Sequence, residues 1–271
     1  MSYQIIAFDM DGTLLNSSKQ ISPETLDAIQ FAVDHGKQVA LSTGRCLSEL
    51  TDLLPLLPGV RYAICASGAY VYDLWEKRYI YASTLSDETI RKILEISRLE
   101  KTMVQLMNAD SIVARDDVRN MDQFQMSIYR PMYEKVVVMV DDIYRYYEEQ
   151  KPQVMKLNIY HTDPERREVT IQRLSSLNIE VVRSEITSSE CSGKGVTKGV
   201  GLQQLCDHLG IELQDSIAVG DADNDLAMLT TAGLSIAMGN AKEHIKEVCD
   251  VVVADNDHGG CVEAIMRYLM K

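Results

Sequence analysis

Two aspartates stand two residues apart in Asp9-Met10-Asp11-Gly12-Thr13, directly after the short apolar run from Tyr3 to Phe8. Along a strand, residues two apart share a side, so this spacing predicts two carboxylates facing one way at a strand end. Acids that close together need a cation or a proton to accompany them. Oxygen donors of this kind suit Mg2+. Gly12 permits a tight turn, and Thr13 can donate from its backbone and its hydroxyl. Asp and Gly are also common after strands, so Asp-x-Asp-Gly taken alone reads as a solvated turn as well.

A second acidic group, Gly220-Asp221-Ala222-Asp223-Asn224-Asp225, follows the apolar run Ser216 to Val219. Helix capping by Asp223 or Asn224 is its plain alternative. The alternating acids do not form an EF-hand loop, because Leu226 stands at the obligatory glycine position and Ala232 at the closing acid. Thr43-Gly44-Arg45 offers a hydroxyl, backbone N–H groups and a helix start, which serve as an anion cradle or as an ordinary N-cap. Gly193-Lys194-Gly195-Val196-Thr197-Lys198-Gly199 carries two lysines. Lys198 opens an amphipathic helix and so stands at a positive helix end. Lys194 reads as a solvated loop charge. The P-loop spacing of glycine, lysine and hydroxyl is absent.

These residues share one grammar, a short apolar run that ends in polar residues. Tyr3–Phe8, Gln38–Leu41, Tyr62–Ala66 and Ser216–Val219 all follow it, and Leu234–Ala237 and Asp250–Val253 are two further short strands. A helix starts at Ser22-Pro23-Glu24, with serine as N-cap and proline at the first position, and Gly36 ends it. Val200, Leu202, Leu205 and Leu209 form a second helical stripe. Val262, Ile265, Met266 and Leu269 form a third, in a closing helix. Strand, helix, strand at this spacing predicts a parallel α/β sheet with right-handed crossovers, and open sheets of that type bind ligands at the carboxyl ends of their strands.

The middle of the chain breaks the pattern. Tyr70–Asp73 and Tyr79–Ala82 predict a hairpin. From there to about Glu190, helices alternate with strands that lack acidic ends: Met103–Met107, Val136–Val140, Val154–Tyr160 and Ile179–Arg183. This predicts an α/β class with a Rossmann-like parallel-sheet core, residues 1–83 and 188–271, and an inserted α+β domain, residues 84–187.

Composition narrows the function. The chain has 271 residues, 46% of them hydrophobic and 25% charged, as in an ordinary globular protein. Its formal net charge of −13 opposes nucleic acid and anionic lipid, so neither is an expected partner. An anionic substrate would need local cations. The six cysteines form no CxxC pair and read as reduced, mostly buried thiols of a cytoplasmic protein. No apolar run approaches the ~20 residues that span a bilayer.

Taken in order, Asp9-Met-Asp11-Gly12-Thr13, Ser42-Thr43-Gly44-Arg45, Lys198-Gly199 and Gly220-Asp221-x-x-Asn224-Asp225 resemble the four motifs of the haloacid dehalogenase-like superfamily. The insertion is similar to the large α/β cap of its Cof-like phosphatases. The resemblance implies a Mg2+-dependent phosphatase of small phosphorylated metabolites such as a sugar phosphate, a nucleotide or a phosphorylated cofactor. It implies Asp9 as nucleophile, Asp11 as acid and base, and Mg2+ held by Asp9, the backbone carbonyl of Asp11 and Asp221. Thr43, Gly44, Lys198 and Asn224 would bind the phosphoryl group, and Asp225 would orient Lys198 or metal-bound water from behind. Asp11 would have to hold a proton during attack, as one acid of a close pair often does. Ser67-Gly68 stands where the family commonly has Asn-Gly. A phosphomutase and a non-catalytic sensor of Mg2+ and a phospho-ligand are the competing functions. In the insertion, which would close over the leaving group, Arg115, Arg119, Arg130, Lys156 and His161 read first as surface residues, and Tyr144 and Tyr147 as core.

Overall fold

The computed structural model describes residues 3–271, which pack as two compact units. The first comprises residues up to Arg45, Asp52–Ala82 and Thr197–Lys271; the second comprises Cys46–Thr51 and Ser83–Val196.

The first unit is built on an eight-stranded sheet. Its strands are β1 (Ile5–Phe8), β2 (Gln38–Ser42), β3 (Tyr62–Cys65), β4 (Tyr70–Asp73) and β5 (Arg78–Ala82), then, after the inserted unit, β12 (Ser216–Gly220), β13 (Leu234–Ala237) and β14 (Val251–Val252). The order is β14-β13-β12-β1-β2-β3-β4-β5. The first six pair in parallel, and β4 and β5 turn back as the expected hairpin. Every residue of β1 is buried, as a central parallel strand covered on both faces requires. The helix Pro23–Asp34 starts as the sequence predicts, with the Ser22 hydroxyl accepting from the Thr25 amide. Chain order reverses around β1, whose neighbours are β2 and β12, so the crevice for a ligand opens at their carboxyl ends.

The second unit has its own six-stranded, mainly antiparallel sheet. It is formed by β6 (Met103–Met107), β7 (Ser111–Ala114), β8 (Val138–Val140), β9 (Lys156–Tyr160), β10 (Ile179–Arg183) and β11 (Ser188–Gly193), in the order β10-β11-β9-β6-β7-β8. One face packs Val104, Leu106, Leu157 and Ile159 against Ile90, Ile93, Ile143, Tyr147 and Leu174 of three helices. Two expectations need correction. The strand expected at Val136–Val140 begins only at Val138, because Pro131 sits in the first turn of a helix, Arg130–Val136, that occupies the preceding residues. The boundary expected at 187/188 falls at 196/197. β11 reads Ser-Ser-Glu-Cys-Ser-Gly and has no apolar run to betray it, yet it lies between β9 and β10.

All six cysteines are free, and only Cys249 is not buried. Among the described residues no helix is long and apolar enough to cross a membrane.

Candidate active site

Asp9 is the first residue beyond β1. Its amide donates to the Val219 carbonyl of β12 at 2.9 Å, which carries the strand pairing one step past Phe8. Its side chain is buried and accepts from Lys198 Nζ. Lys198 is 1% exposed and also donates to Asp225 Oδ1 at 2.6 Å. It opens the helix Lys198–Leu209, whose N-cap Thr197 accepts from the Val200 amide. Asp225 is fully buried, and its Oδ2 accepts from the amides of Asp221 (3.1 Å) and Ala222 (3.0 Å). The turn after β12 therefore folds around this carboxylate, which in turn fixes Lys198. Thr13 Oγ1 donates to Asp221 Oδ1 at 2.7 Å.

Oxygens of Asp9, Asp221 and Asp225 lie within 4.8 Å of one another. Three carboxylates face one ammonium, so the pocket carries an excess of negative charge. Its effect shows in the titration of Asp9. Burial pushes its carboxyl up to about 7; Lys198 opposes this, and Asp225 and Asp221 reinforce it. Burial raises Asp221 as well. Burial alone would lower Lys198, but Asp225 and Asp9 outweigh it and hold the ammonium charged. Hard oxygen donors with two uncompensated charges are the donor set that a small dication requires, so the residues present fit Mg2+.

Asp11 does not face this cluster. The strand ends at Phe8 and the chain turns at Gly12, where φ is +95° and an added Cβ would lie 2.5 Å from Asp221 Oδ2. The two-residue alternation expected of a strand therefore stops before it reaches Asp11. The Asp11 side chain is 39% exposed. Arg45 grips both of its oxygens, Nε to Oδ2 at 2.9 Å and Nη2 to Oδ1 at 2.8 Å, and Lys19 Nζ adds a bond to Oδ1 at 2.9 Å. The expected raised acid is reversed: burial would raise Asp11, but Arg45 and then Lys19 hold it below the usual carboxylate range. The acid of the pair with the raised titration is Asp9.

Thr43 and Gly44 occupy the loop after β2, next to β1 in the sheet, and Thr43 is buried. Thr43 Oγ1 accepts from the Arg45 amide at 3.2 Å, a local turn bond rather than a helix cap, because the helical turn that follows spans Leu47–Leu50 with Cys46 at its N-cap. The loop after β3 braces it: the amides of Ala66 and Ser67 donate to the carbonyls of Arg45 and Thr43 at 2.8 and 2.9 Å. Asn224 is exposed in the turn that Asp225 organises. Sequence reasoning missed Lys19 altogether and took Arg45 for part of an anion cradle, whereas its guanidinium is committed to Asp11. It expected Asp225 to orient Lys198 from behind; Asp225 Oδ1 accepts from Lys198 Nζ at 2.6 Å, and the same carboxylate also lies in the cluster with Asp9 and Asp221. The spacing of four residues between Asp221 and Asp225 was the available signal.

In the second unit, Arg115, Arg119 and Arg130 pair with Asp141, Asp116 and Asp122 on the surface, as expected. Lys156 and His161 are buried rather than exposed. Lys156 Nζ donates to Glu190 Oε2 at 2.7 Å, and Nδ1 of His161 lies 2.8 Å from the Thr187 carbonyl. Glu190 lies in β11, which the sequence reading assigned to the core, whereas Thr187 is the last residue of the expected insertion. Tyr147 is core and Tyr144 packs beside it.

Residues 6–265 match the family described as haloacid dehalogenase-like hydrolase. The chain is 26% identical to the 5-amino-6-(5-phospho-D-ribitylamino)uracil phosphatase YcsE of Bacillus subtilis, over 98% of this chain and 96% of that protein. It is equally 26% identical to the pyridoxal phosphate phosphatase YbhA of Escherichia coli, over the full length of both. A solved haloacid dehalogenase-like hydrolase from Bacteroides thetaiotaomicron superposes with a TM-score of 0.85 at 26% identity, covering 98% of this chain and 99% of that one. With the ordered motifs converging at the carboxyl ends of β1, β2 and β12, the chain belongs to the haloacid dehalogenase-like hydrolases.

Proposed function

We propose that this chain, a phosphatase by its family and relatives, hydrolyses phosphate monoesters of small metabolites through an aspartyl-phosphate on Asp9 with Mg2+ as cofactor. The observation that carries the reading is the buried Asp9–Lys198–Asp225 chain with Asp221 beside it. A binder of phosphate has no need of a buried carboxylate aimed at its ligand; a nucleophile does. The named substrates of both relatives are phosphate esters of small molecules, which supports the same class here.

In the first half-reaction an Asp9 oxygen attacks phosphorus and the P–O bond to the leaving group breaks; Asp11, ionised beside Arg45 and Lys19 in the free protein, takes up a proton as the anionic ester binds next to it and gives that proton to the departing oxygen. In the second, Asp11, now a carboxylate, takes a proton from water as the water attacks phosphorus, and Asp9 is released with inorganic phosphate. Thr43, Gly44, Lys198 and Asn224 hold the phosphoryl oxygens, and Asp225 keeps Lys198 charged and aimed. Asp9, Asp221 and the Asp11 carbonyl are the proposed metal ligands, with the Asp225 carboxylate close behind. When bound, Mg2+ neutralises charge so that an anionic nucleophile can approach an anionic ester.

The test is phosphate release across a panel of sugar phosphates, nucleotides and phosphorylated cofactors, with Mg2+ and with EDTA. Turnover should need the metal, and Asp9→Asn should abolish it. Parent-rate hydrolysis by Asp9→Asn would remove the nucleophile assignment. Transfer of phosphate between sugars without release would point to a mutase, and tight binding without turnover to a sensor.

A further inference from the structure

Alternate residues of β6 and β9 point to opposite faces of the second sheet, and the two faces differ. Val104, Leu106, Leu157 and Ile159 fill one of them with apolar side chains. The other carries Gln105, Lys156, Asn158 and Tyr160, and all four are buried. Polar groups at that depth are costly unless each finds a partner. The register sets Gln105, Asn158 and Glu190 side by side across β6, β9 and β11. Their hydrogen bonds run in one direction. Gln105 Nε2 donates to Glu49 Oε1 (2.7 Å) and to Ser111 Oγ (2.7 Å), and Gln105 Oε1 accepts from Asn158 Nδ2 (2.9 Å) and the Tyr160 hydroxyl (2.6 Å).

Glu49 imposes that direction. Its Oε2 accepts from the Cys46 amide at 3.3 Å, and its Oε1 faces Gln105. A carboxylate only accepts, so Gln105 turns its Nε2 to Glu49 and its Oε1 to Asn158. Asn158 then turns Nδ2 to Gln105 and Oδ1 away from it. Asn158 Oδ1 ends the relay: it is buried and has no hydrogen-bond partner among the described residues. The neighbour on its other side is Glu190, a second acceptor, whose side chain is 20% exposed.

We propose that Asn158 Oδ1, beside Glu190, is a specificity determinant of the second unit that accepts from a hydroxyl of the substrate, so that the ester is that of a sugar or polyol. This rests on the phosphatase reading given above and narrows its substrate class. Two neighbouring acceptors call for a ligand that brings donors, and a sugar or polyol brings several hydroxyls. A site built on a buried acceptor also rejects an analogue that lacks the donor, because the acceptor is then stranded. Glu49 does not touch the ligand in this scheme; it sets which end of the Asn158 amide meets it.

The test measures phosphate release from pentose and hexose phosphates, each against analogues in which one hydroxyl is replaced by hydrogen, fluorine or an amino group. Fluorine keeps a weak acceptor but has no proton to give. At one position wild type should prefer the hydroxyl over hydrogen and fluorine by about 10-fold or more in kcat/KM, mainly through KM. Asn158→Ala should remove most of that preference. Glu49→Gln keeps the shape of the relay and reverses it. Its one oxygen stays with the Cys46 amide, its new amide donates to Gln105, and Asn158 turns Nδ2 outward. The advantage of hydroxyl over fluorine should then shrink by about 5-fold or more, a change in ratio that loss of stability does not produce, and this variant decides the matter if Asn158→Ala does not fold. Three results overturn the inference and leave the phosphatase standing: hydroxyl, hydrogen and fluorine treated alike at every position, an amino analogue preferred to the hydroxyl, or a wild-type preference that both variants keep. Release confined to esters without hydroxyls has the same meaning. Wild type that releases phosphate from no ester would overturn the phosphatase reading itself, and this with it.

Discussion

A buried ammonium that serves two carboxylates is expensive to remove from one side only. Lys198→Met leaves Asp9 and Asp225 facing each other without a cation, so it should cost about 3–5 kcal/mol in urea denaturation and abolish turnover. Added Mg2+ should recover part of the stability. The raised titration of Asp9 makes a second prediction. Below about 7 its carboxyl holds a proton in the metal-free protein, and a cation must displace that proton to bind. Mg2+ affinity, followed by calorimetry, should therefore weaken as pH falls from about 8 to about 6, with protons released on binding. Affinity that stays flat over that range would mean that Asp9 is not a ligand. In the second unit, Nε2 of His161 is buried without a hydrogen-bond partner, and burial lowers the imidazole's titration. The unfolded chain takes up a proton near its ordinary value of about 6.5 and the folded chain does so only lower, so the stability tied to the neutral ring is complete above about 6.5 and drains below it. The stability gap between wild type and His161→Gln should narrow between about pH 7.5 and about pH 5.5. The site's acids and Lys198 were legible because each follows an apolar run or opens a helix stripe. Lys19 was not, since a lysine in a polar turn carries no pattern that distinguishes a partner from solvent.

At the scale of elements, the site depends on how closely loops approach one another. Ala66, Ser67 and Gly68 form three successive positive-φ residues after β3. Gly68 has φ of +93°, and a Cβ there would lie 2.0 Å from the Thr197 carbonyl, at the start of the helix that presents Lys198. Gly68→Ala should push that helix start outward, destabilise the protein by more than about 1 kcal/mol and lower kcat, both checkable on one preparation. Ser67 has the opposite prospect. Relief of its left-handed strain in Ser67→Gly should gain about 1 kcal/mol, offset in part by a looser unfolded chain. The Ser67-Gly68 dipeptide marked a turn in the sequence, but its three-residue conformation did not show, because Ala66 and Ser67 are not residues that favour positive φ. The strands of the first sheet were legible to within a residue or two, the central ones because parallel strands buried on both faces are continuous apolar runs. β8 and β11 were not. One is three residues long and the other is polar, and each is a strand because its neighbours supply the pairing.

At the scale of the whole chain, the question is where one folding unit stops. Each unit has a complete sheet and a core of its own. β11 decides the boundary. It pairs with β10 on one side and β9 on the other, so a fragment ending at 187 loses a central strand, detaches β10 and exposes the edge of β9. It also loses Cys191 from the apolar face and Glu190, which pairs with the buried ammonium of Lys156. Removing that carboxylate weakens the compensation of a buried ammonium, a costly change on its own. Expressed alone, residues 83–196 should fold, with a cooperative thermal transition and dispersed amide resonances. Residues 84–187 should not. The longer fragment still lacks Glu49, whose Oε1 accepts from Gln105 Nε2 at 2.7 Å within the same unit. Gln105 keeps its bonds to Ser111, Asn158 and Tyr160, so this loss should lower the midpoint rather than prevent folding. Gln105→Leu in the fragment should then cost less than the same substitution in the full chain, where it also removes one donor from the buried Glu49 carboxylate. Equal costs in the two settings would mean that Glu49 contributes nothing to the fold of the unit with which it packs.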